Sequence, residues 1–351
     1  MPTDTVQTFT DGHDVPARPR YDVVVVGGGA AGLSGALALS RARRSVLVID
    51  SGRPRNAPAG HVHSYLTQEG VAPSQLLATG RAEVGRYGGE LVRGNVAGAE
   101  RLADGRFRLV LDGGATVEAD RLLVTTGLVD ELPQVPGLVE RWGREVLHCP
   151  YCHGWEVRDQ AIGILATGPL AVHQALMWRQ WSDDVTLFLH TGPEPSDEEY
   201  EQLAARGIAV VDGRVTSVQV TDDRLSGVAL ESGKVIARQA LVVAPRFTAR
   251  AAFLAGLGLE ASEQEVNGVV IGSHVAADPT GATAVPGVWV AGNVANVTDQ
   301  VIGAAAAGVR AAGALNADLI AEETRRAVER YRRDGLARAG AERGRGAPGA
   351  G

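Results

Sequence analysis

Cysteine is nearly absent from this chain: among 351 residues only Cys149 and Cys152 carry a thiol. That scarcity argues against a disulfide-stapled secreted scaffold, and against zinc sites built from two distant cysteine pairs. Aromatic residues make up only 5% of the chain. No apolar run approaches the ~20 residues needed to span a bilayer, so no membrane partner is expected. The first twenty residues lack the apolar core of an export signal. Positive charge is also in deficit. A net charge of −7 and a pI near 5.7 argue against a nucleic-acid-binding surface. A cytoplasmic protein with no bound metal is expected. Its 45 glycines and 45% hydrophobic residues suit an α/β protein with tight turns.

What is present is concentrated. The two cysteines stand in Cys149-Pro150-Tyr151-Cys152, followed by His153. At a helix start, such a pair has one thiolate stabilised by the helix terminus, lowering its pKa from about 8.5 to ~3.5–7.5. The pair can then cycle between dithiol and disulfide through thiolate attack. Cys149, Cys152 and His153 also fit the c-type haem attachment pattern, but the missing export signal disfavours it. A structural disulfide closing so short a loop would stabilise little. The pair reads best as a redox couple.

A second concentration lies near the N-terminus. Tyr21 to Val26 is a short β-branched run typical of a buried parallel strand. It enters Gly27-Gly28-Gly29-Ala30-Ala31-Gly32, then a helical stretch to about Arg43, then a strand from Ser45 to Ile49 ending in Asp50. This is the dinucleotide fingerprint in its full context. Gly27 permits the turn, Gly29 lets the backbone approach a pyrophosphate, and Gly32 allows close helix–strand packing. The helix N-terminus attracts phosphate, and Asp50 can accept hydrogen bonds from a ribose.

Further along, a turn-rich loop from Arg53 to Gly70 carries His61 and His63, for which solvated loop histidines are the default reading. A helix is expected from Ser74 to Arg86, with strands near Phe107–Leu111 and Leu122–Thr125. A linker with Pro133, Pro136 and Gly137 follows. A second βαβ-like pattern begins at Ala161 and continues through Val185–Leu189. Trp155, Trp178 and Trp181 read as packing residues. Gly287 to Asn293 returns to strand and turn, and a small-residue helix is expected from about Val301 to Ala321. Residues 1–20 read as a disordered leader and 334–351 as a disordered tail.

These motifs together resemble the thioredoxin reductase-like branch of the pyridine nucleotide-disulfide oxidoreductases, across about residues 20–325. The resemblance rests on the opening glycine loop, Thr125-Thr126-Gly127, the C-x-x-C pair and the late Ala291-Gly292-Asn293. It implies two Rossmann-like, three-layer ββα nucleotide-binding domains, the second inserted into the first. The FAD-binding domain would comprise 20–129 and 245–325, and an NAD(P)-like domain carrying the cysteines would comprise 130–244. A homodimer is implied as well. Gly27, Gly29, Ala30, Ala31, Gly32 and Asp50 would bind FAD at its adenosine end, with Thr126, Gly127, Gly292, Asn293, Gln300 and Val301 completing the site. Asn293 stands where the family usually has aspartate. Val301 opens a helix whose N-terminal dipole would face the flavin. Cys152 would lie nearest the flavin, Cys149 would exchange with substrate, and His153 would pass protons at the thiols.

The chain departs from a thioredoxin reductase in its second glycine loop. Ala166 replaces the first glycine, and Pro169 removes a backbone donor near the helix start. No arginine follows Leu189 until Arg206, where NADPH recognition needs one; Glu194, Asp197, Glu198 and Glu199 cluster there instead. Part of that cluster is a capping box formed by Ser196 and Glu199. NADPH binding is therefore doubtful. The segment from Cys149 to Glu156 is similar to that of dithiol oxidases of the gliotoxin and holomycin type. The expected activity is oxidation of a small-molecule dithiol through Cys149, Cys152 and FAD, with oxygen as acceptor. The alternatives are an NADPH-dependent thioredoxin reductase acting on a thioredoxin-like protein, a ferredoxin- or other-carrier-dependent reductase, and a flavin-binding redox sensor without turnover.

Overall fold

The computed structural model describes residues 15–345. Most of the expected leader, residues 1–14, lies outside the described residues. The chain opens with β1 (Arg20–Val26), α1 (Ala30–Arg41), β2 (Val46–Asp50), α2 (Pro73–Arg86) and β3 (Glu90–Arg93). The valines of β1 are buried on both faces, as its unbroken apolar run requires. A meander follows: β4 (Val96–Arg101), β5 (Phe107–Leu111) and β6 (Thr116–Val124), antiparallel to one another. From Glu118 to Val124, β6 also pairs in parallel with β1, giving the order β3-β2-β1-β6.

After β6 the chain leaves this sheet through β7 (Leu128–Glu131). Helix α3 (Leu138–Arg141), β8 (Val146–Leu147), α4 (Pro150–His153), β9 (Ile162–Leu165), α5 (Ala171–Trp178), β10 (Val185–Phe188), α6 (Asp197–Ala205) and β11 (Ala209–Val211) follow. A three-stranded meander comes next, β12 (Val215–Thr221), β13 (Arg224–Leu230) and β14 (Val235–Ala237), and then β15 (Ala240–Val242). Strands β11-β10-β9-β15-β8 form a second parallel sheet with its own core around Trp178, Ile164 and Leu187. Strand β16 (Arg246–Ala249) returns antiparallel to β7, with Leu128 opposite Ala249 and Glu131 opposite Arg246. Strands β17 (Ser262–Val266) and β18 (Val269–His274) extend that pair into a third sheet. Strand β19 (Val288–Val290) rejoins the first sheet beside β6, and α7 (Val301–Arg345) packs back on α1. The protein is thus α/β, with two Rossmann-like sheets.

Helix α7 departs from the sequence-based expectation. It continues through residue 334, where the sequence predicts a disordered tail, to Arg345; the rest of that tail, 346–351, lies outside the described residues. From 334 to 345 three alanines, three arginines, a leucine and a glutamate, all strong helix formers, outnumber three glycines. The proline-bearing linker also acquires structure, as β7 and the short α3.

Close packing between α1 and α7 fixes the geometry of the first sheet's rim. A Cβ on Gly308 would lie 2.0 Å from the Ala31 carbonyl oxygen, so only glycine allows this approach. As a result, both helices aim their N-termini into one cavity.

Candidate active site

Strand β1 ends in Gly27, whose φ of +107° belongs to the region that favours glycine. Its carbonyl accepts a hydrogen bond from Thr125 Oγ1 at 2.8 Å, tying the end of β6 to the turn. Asp50 Oδ1 accepts from the Gly28 N–H at 3.1 Å, fixing the carboxylate at the tip of β2. No side chain caps α1 at Gly29, and no acidic residue occupies its first turn. The first-turn N–H groups are thus left without a side-chain cap, and a Cβ on Gly29 would meet nothing within 4 Å.

That space is part of a cavity of about 1030 Å³. Gly27, Gly29, Ala30, Ala31, Asp50, Thr126, Gly127, Gly292, Asn293, Gln300 and Val301 all line it, together with Cys149, Cys152 and His153. Gly32 does not. It faces the turn, where a Cβ would sit 1.9 Å from the Gly27 carbonyl oxygen, so its part is to let α1 leave the strand closely. The donor-rich helix starts, the glycine cradle and the size of the cavity fit a dinucleotide such as FAD.

The disulfide lies at the cavity's other end. Cys149 and Cys152 are bonded to each other with their Cα atoms 5.2 Å apart. Cys149 is the N-cap of α4 and Pro150 its first residue, where a missing N–H is tolerated. The carbonyl of Cys149 accepts from the His153 N–H at 3.1 Å, which brings the imidazole onto the same turn as the sulfurs. His153 Nε2 is buried without a hydrogen-bond partner. Burial holds His153 below the ordinary histidine range; Glu156 pulls the other way, and His63 adds to the lowering. A neutral imidazole beside two thiols can accept a proton.

Other residues of the site had no motif to announce them. Arg55, on the loop after β2, reaches Asp130 on β7 and donates to Asn293 Oδ1 at 3.2 Å. Asn293 in turn donates from Nδ2 to the carbonyls of Asn296, Val297 and Asp299, which an aspartate could not do. His148 is half-buried, and desolvation lowers its pKa; its Nδ1 lies 3.3 Å from the Val243 carbonyl oxygen. His61 and His63 line the cavity, with His63 paired to Glu69 and Glu156. Among the tryptophans, Trp178 is fully buried and Trp181 meets the Tyr151 ring edge-on at 5.6 Å. Trp155 is no packing residue: it is 66% exposed, with the Arg158 guanidinium over its ring.

No helix of the described residues is long and apolar enough to cross a membrane. No cluster of three histidine, cysteine, aspartate or glutamate side chains that could hold a metal ion occurs among them.

Comparison with known proteins agrees with this geometry. The family model described as pyridine nucleotide-disulphide oxidoreductase matches residues 21–312. The solved structure of HlmI is 47% identical, with a TM-score of 0.83, covering 89% of this chain and 96% of that one. An oxidoreductase from Agrobacterium tumefaciens is 36% identical with a TM-score of 0.80, covering 86% and 99%. Thioredoxin reductase sirT of Leptosphaeria maculans is 32% identical, covering 84% of this chain and 93% of its own.

Proposed function

The chain belongs to the pyridine nucleotide-disulphide oxidoreductases, as an FAD-binding enzyme of thiol–disulfide exchange, and we propose that it runs in the oxidative direction. Its substrate is a small-molecule dithiol, and oxygen is the terminal acceptor.

The observation that supports this direction is the state of the second nucleotide-binding turn. Ala166 is buried, its carbonyl oxygen accepts from the Thr191 N–H at 3.3 Å, and Gly192 packs against its side chain. The loop after β10 thus folds over the place where a pyrophosphate would approach. The acids beyond it form the capping box of α6, with Ser196 and Glu199 satisfying each other's backbone N–H groups. Nearby Arg179 is engaged by Asp183 and by the Arg206 carbonyl. These features disfavour NADPH as the donor.

In the proposed reaction one substrate thiolate attacks Cys149 Sγ. The bond between the two cysteines breaks, and Cys152 leaves as a thiolate. The second substrate thiolate then attacks the mixed disulfide, closing the substrate's own S–S bond and releasing Cys149. His153 takes up a thiol proton during the exchange. Two electrons and two protons have moved from the substrate to the protein. FAD held along Gly27–Ala31, Asp50, Thr126, Gly127, Gly292, Asn293 and the start of α7 would supply the acceptor for these electrons, with oxygen, reduced to hydrogen peroxide, as the final one. A homodimer and a cytoplasmic location accompany this reading.

The names of curated relatives favour a second reading, reduction of a thioredoxin-like protein. Anaerobic mixing separates the two. Bleaching of the flavin by a dithiol, with recovery in air and peroxide formed in equal amount, is the expected result. Rapid bleaching by NADPH would overturn it.

A further inference from the structure

The reaction above uses no side chain of the loop between β2 and α2. Yet that loop is built with care around His63. Val62 and Val71 form an antiparallel bridge that closes the loop on itself. Inside it, Glu69 accepts from the Ser64 N–H at 2.8 Å and binds His63 Nδ1 at 2.6 Å. Ser64 and Thr67 both hold positive φ, a conformation kept only when its surroundings fix it.

With Nδ1 engaged, His63 turns Nε2 to Glu156 Oε1 at 3.4 Å. The next residue, Ser64, donates from Oγ to the Tyr151 carbonyl at 3.3 Å. Tyr151 and Glu156 flank Cys152 and His153 in sequence. Two consecutive side chains of one loop therefore grip the redox segment on both sides of its reacting groups. The segment needs such support: α4 is a single turn of four residues, too short to hold itself. Its other support is Trp181, against which the Tyr151 ring packs. Opening the disulfide removes the crosslink, so the grip matters most in the dithiol state.

We propose that His63 is a positioning residue for the dithiol: braced by Glu69, it pins Glu156 and, with Ser64, holds Cys152 and His153 against the cofactor cavity while the disulfide is open. This rests on the reading of Cys149 and Cys152 as the redox pair.

The test uses full-length, FAD-loaded protein reduced anaerobically, desalted and pulsed with iodoacetamide, with alkylation of each cysteine followed by peptide mass spectrometry. His63→Ala is expected to speed alkylation of Cys152 about fivefold relative to Cys149. Glu156→Ala, which removes the same contact from the other side and keeps the loop intact, is expected to do likewise. The double variant should add nothing further. His63→Gln, whose amide can still donate to a carboxylate, should restore most of the wild-type ratio. An unchanged ratio in both single variants, or independent effects in the double variant, would overturn the proposal. No turnover is measured, so that outcome leaves dithiol oxidation standing. Conversely, wild-type protein inert toward dithiols but with the expected alkylation pattern would sink the oxidative reading alone.

Discussion

Arg55 and Asp130 meet in a two-bond pair, Nη2 to Oδ1 at 2.6 Å and Nε to Oδ2 at 2.8 Å. Asp130 is only 9% exposed at its side chain, and the guanidinium also lies over the Phe247 ring at 5.2 Å. The pair joins the loop after β2 to the strand on which the chain leaves the first sheet. Its third bond, to Asn293, ties in the turn before α7. One side chain thus links three walls of the cavity.

Removing that link has two separable consequences. Arg55→Ala leaves a largely buried carboxylate unpaired. After allowance for the partial exposure of the pair, the cost is about 2–3 kcal/mol, read as a lower urea midpoint. Asn293→Asp keeps the shape but replaces three donated hydrogen bonds with carboxylate–carbonyl repulsion. FAD should then dissociate roughly tenfold more readily, as a fluorescence measurement of released flavin would show.

His153 carries the proton step in the proposed reaction. His153→Ala should slow flavin reduction by a dithiol by roughly 10²-fold in a single turnover while leaving FAD content unchanged. Because burial lowers its pKa, the neutral base is populated at and below neutrality. The wild-type rate should therefore persist further into acid than an exposed histidine would permit. An unaltered rate in the alanine variant would remove His153 from the mechanism.

The two sulfurs should prove unequal. Cys149 caps the start of α4, whereas Cys152 lies within the turn. In Cys152→Ser, Cys149 is a free thiolate; offered the disulfide form of the substrate, it attacks one sulfur, the substrate's S–S bond breaks, and the mixed disulfide on Cys149 should accumulate and add the substrate's mass because Cys152 is not there to displace it. Cys149→Ser should trap little. Equal trapping in both variants would reverse or erase the assignment.

Stability should depend on pH through the buried histidines. Burial is the leading cause that lowers His148, His153 and His190 below the ordinary value of about 6.5. In the range between lowered and ordinary values, the unfolded chain binds more protons than the folded one. Stability is therefore fully present above the ordinary value and is lost as pH falls toward the lowered ones. Thermal melts should show a drop as pH falls below the ordinary histidine value of about 6.5. The Asp223 carboxylate, held at about 2 chiefly by its bonds to Arg144 and Arg141, adds its loss only in stronger acid. A flat profile across the histidine range would contradict this account.

The local chemistry was legible in the sequence because it resides in contiguous residues. A β-branched run, a glycine turn and a small-residue helix can each fold in only a few ways, so β1, α1 and Asp50 stand where the fingerprint places them. Likewise, a C-x-x-C with proline inside it starts a helix, and α4 does so. The length of α7 is not legible in the tail, which is low in apolar residues and so shows no packing face, although its alanines and arginines favour helix.

What the sequence could not supply were partners distant along the chain. Nothing near Arg55 names Asp130 or Asn293, and nothing near His63 names Glu156. Those meetings depend on how the two sheets are set against each other, through the antiparallel pairing of β7 with β16 and the return of β19 to β6. The amino-acid order determined which groups can carry redox chemistry and which turn can cradle a phosphate. Only the tertiary structure decided that they share one cavity, because side-chain contacts across the fold follow from packing that no local pattern encodes.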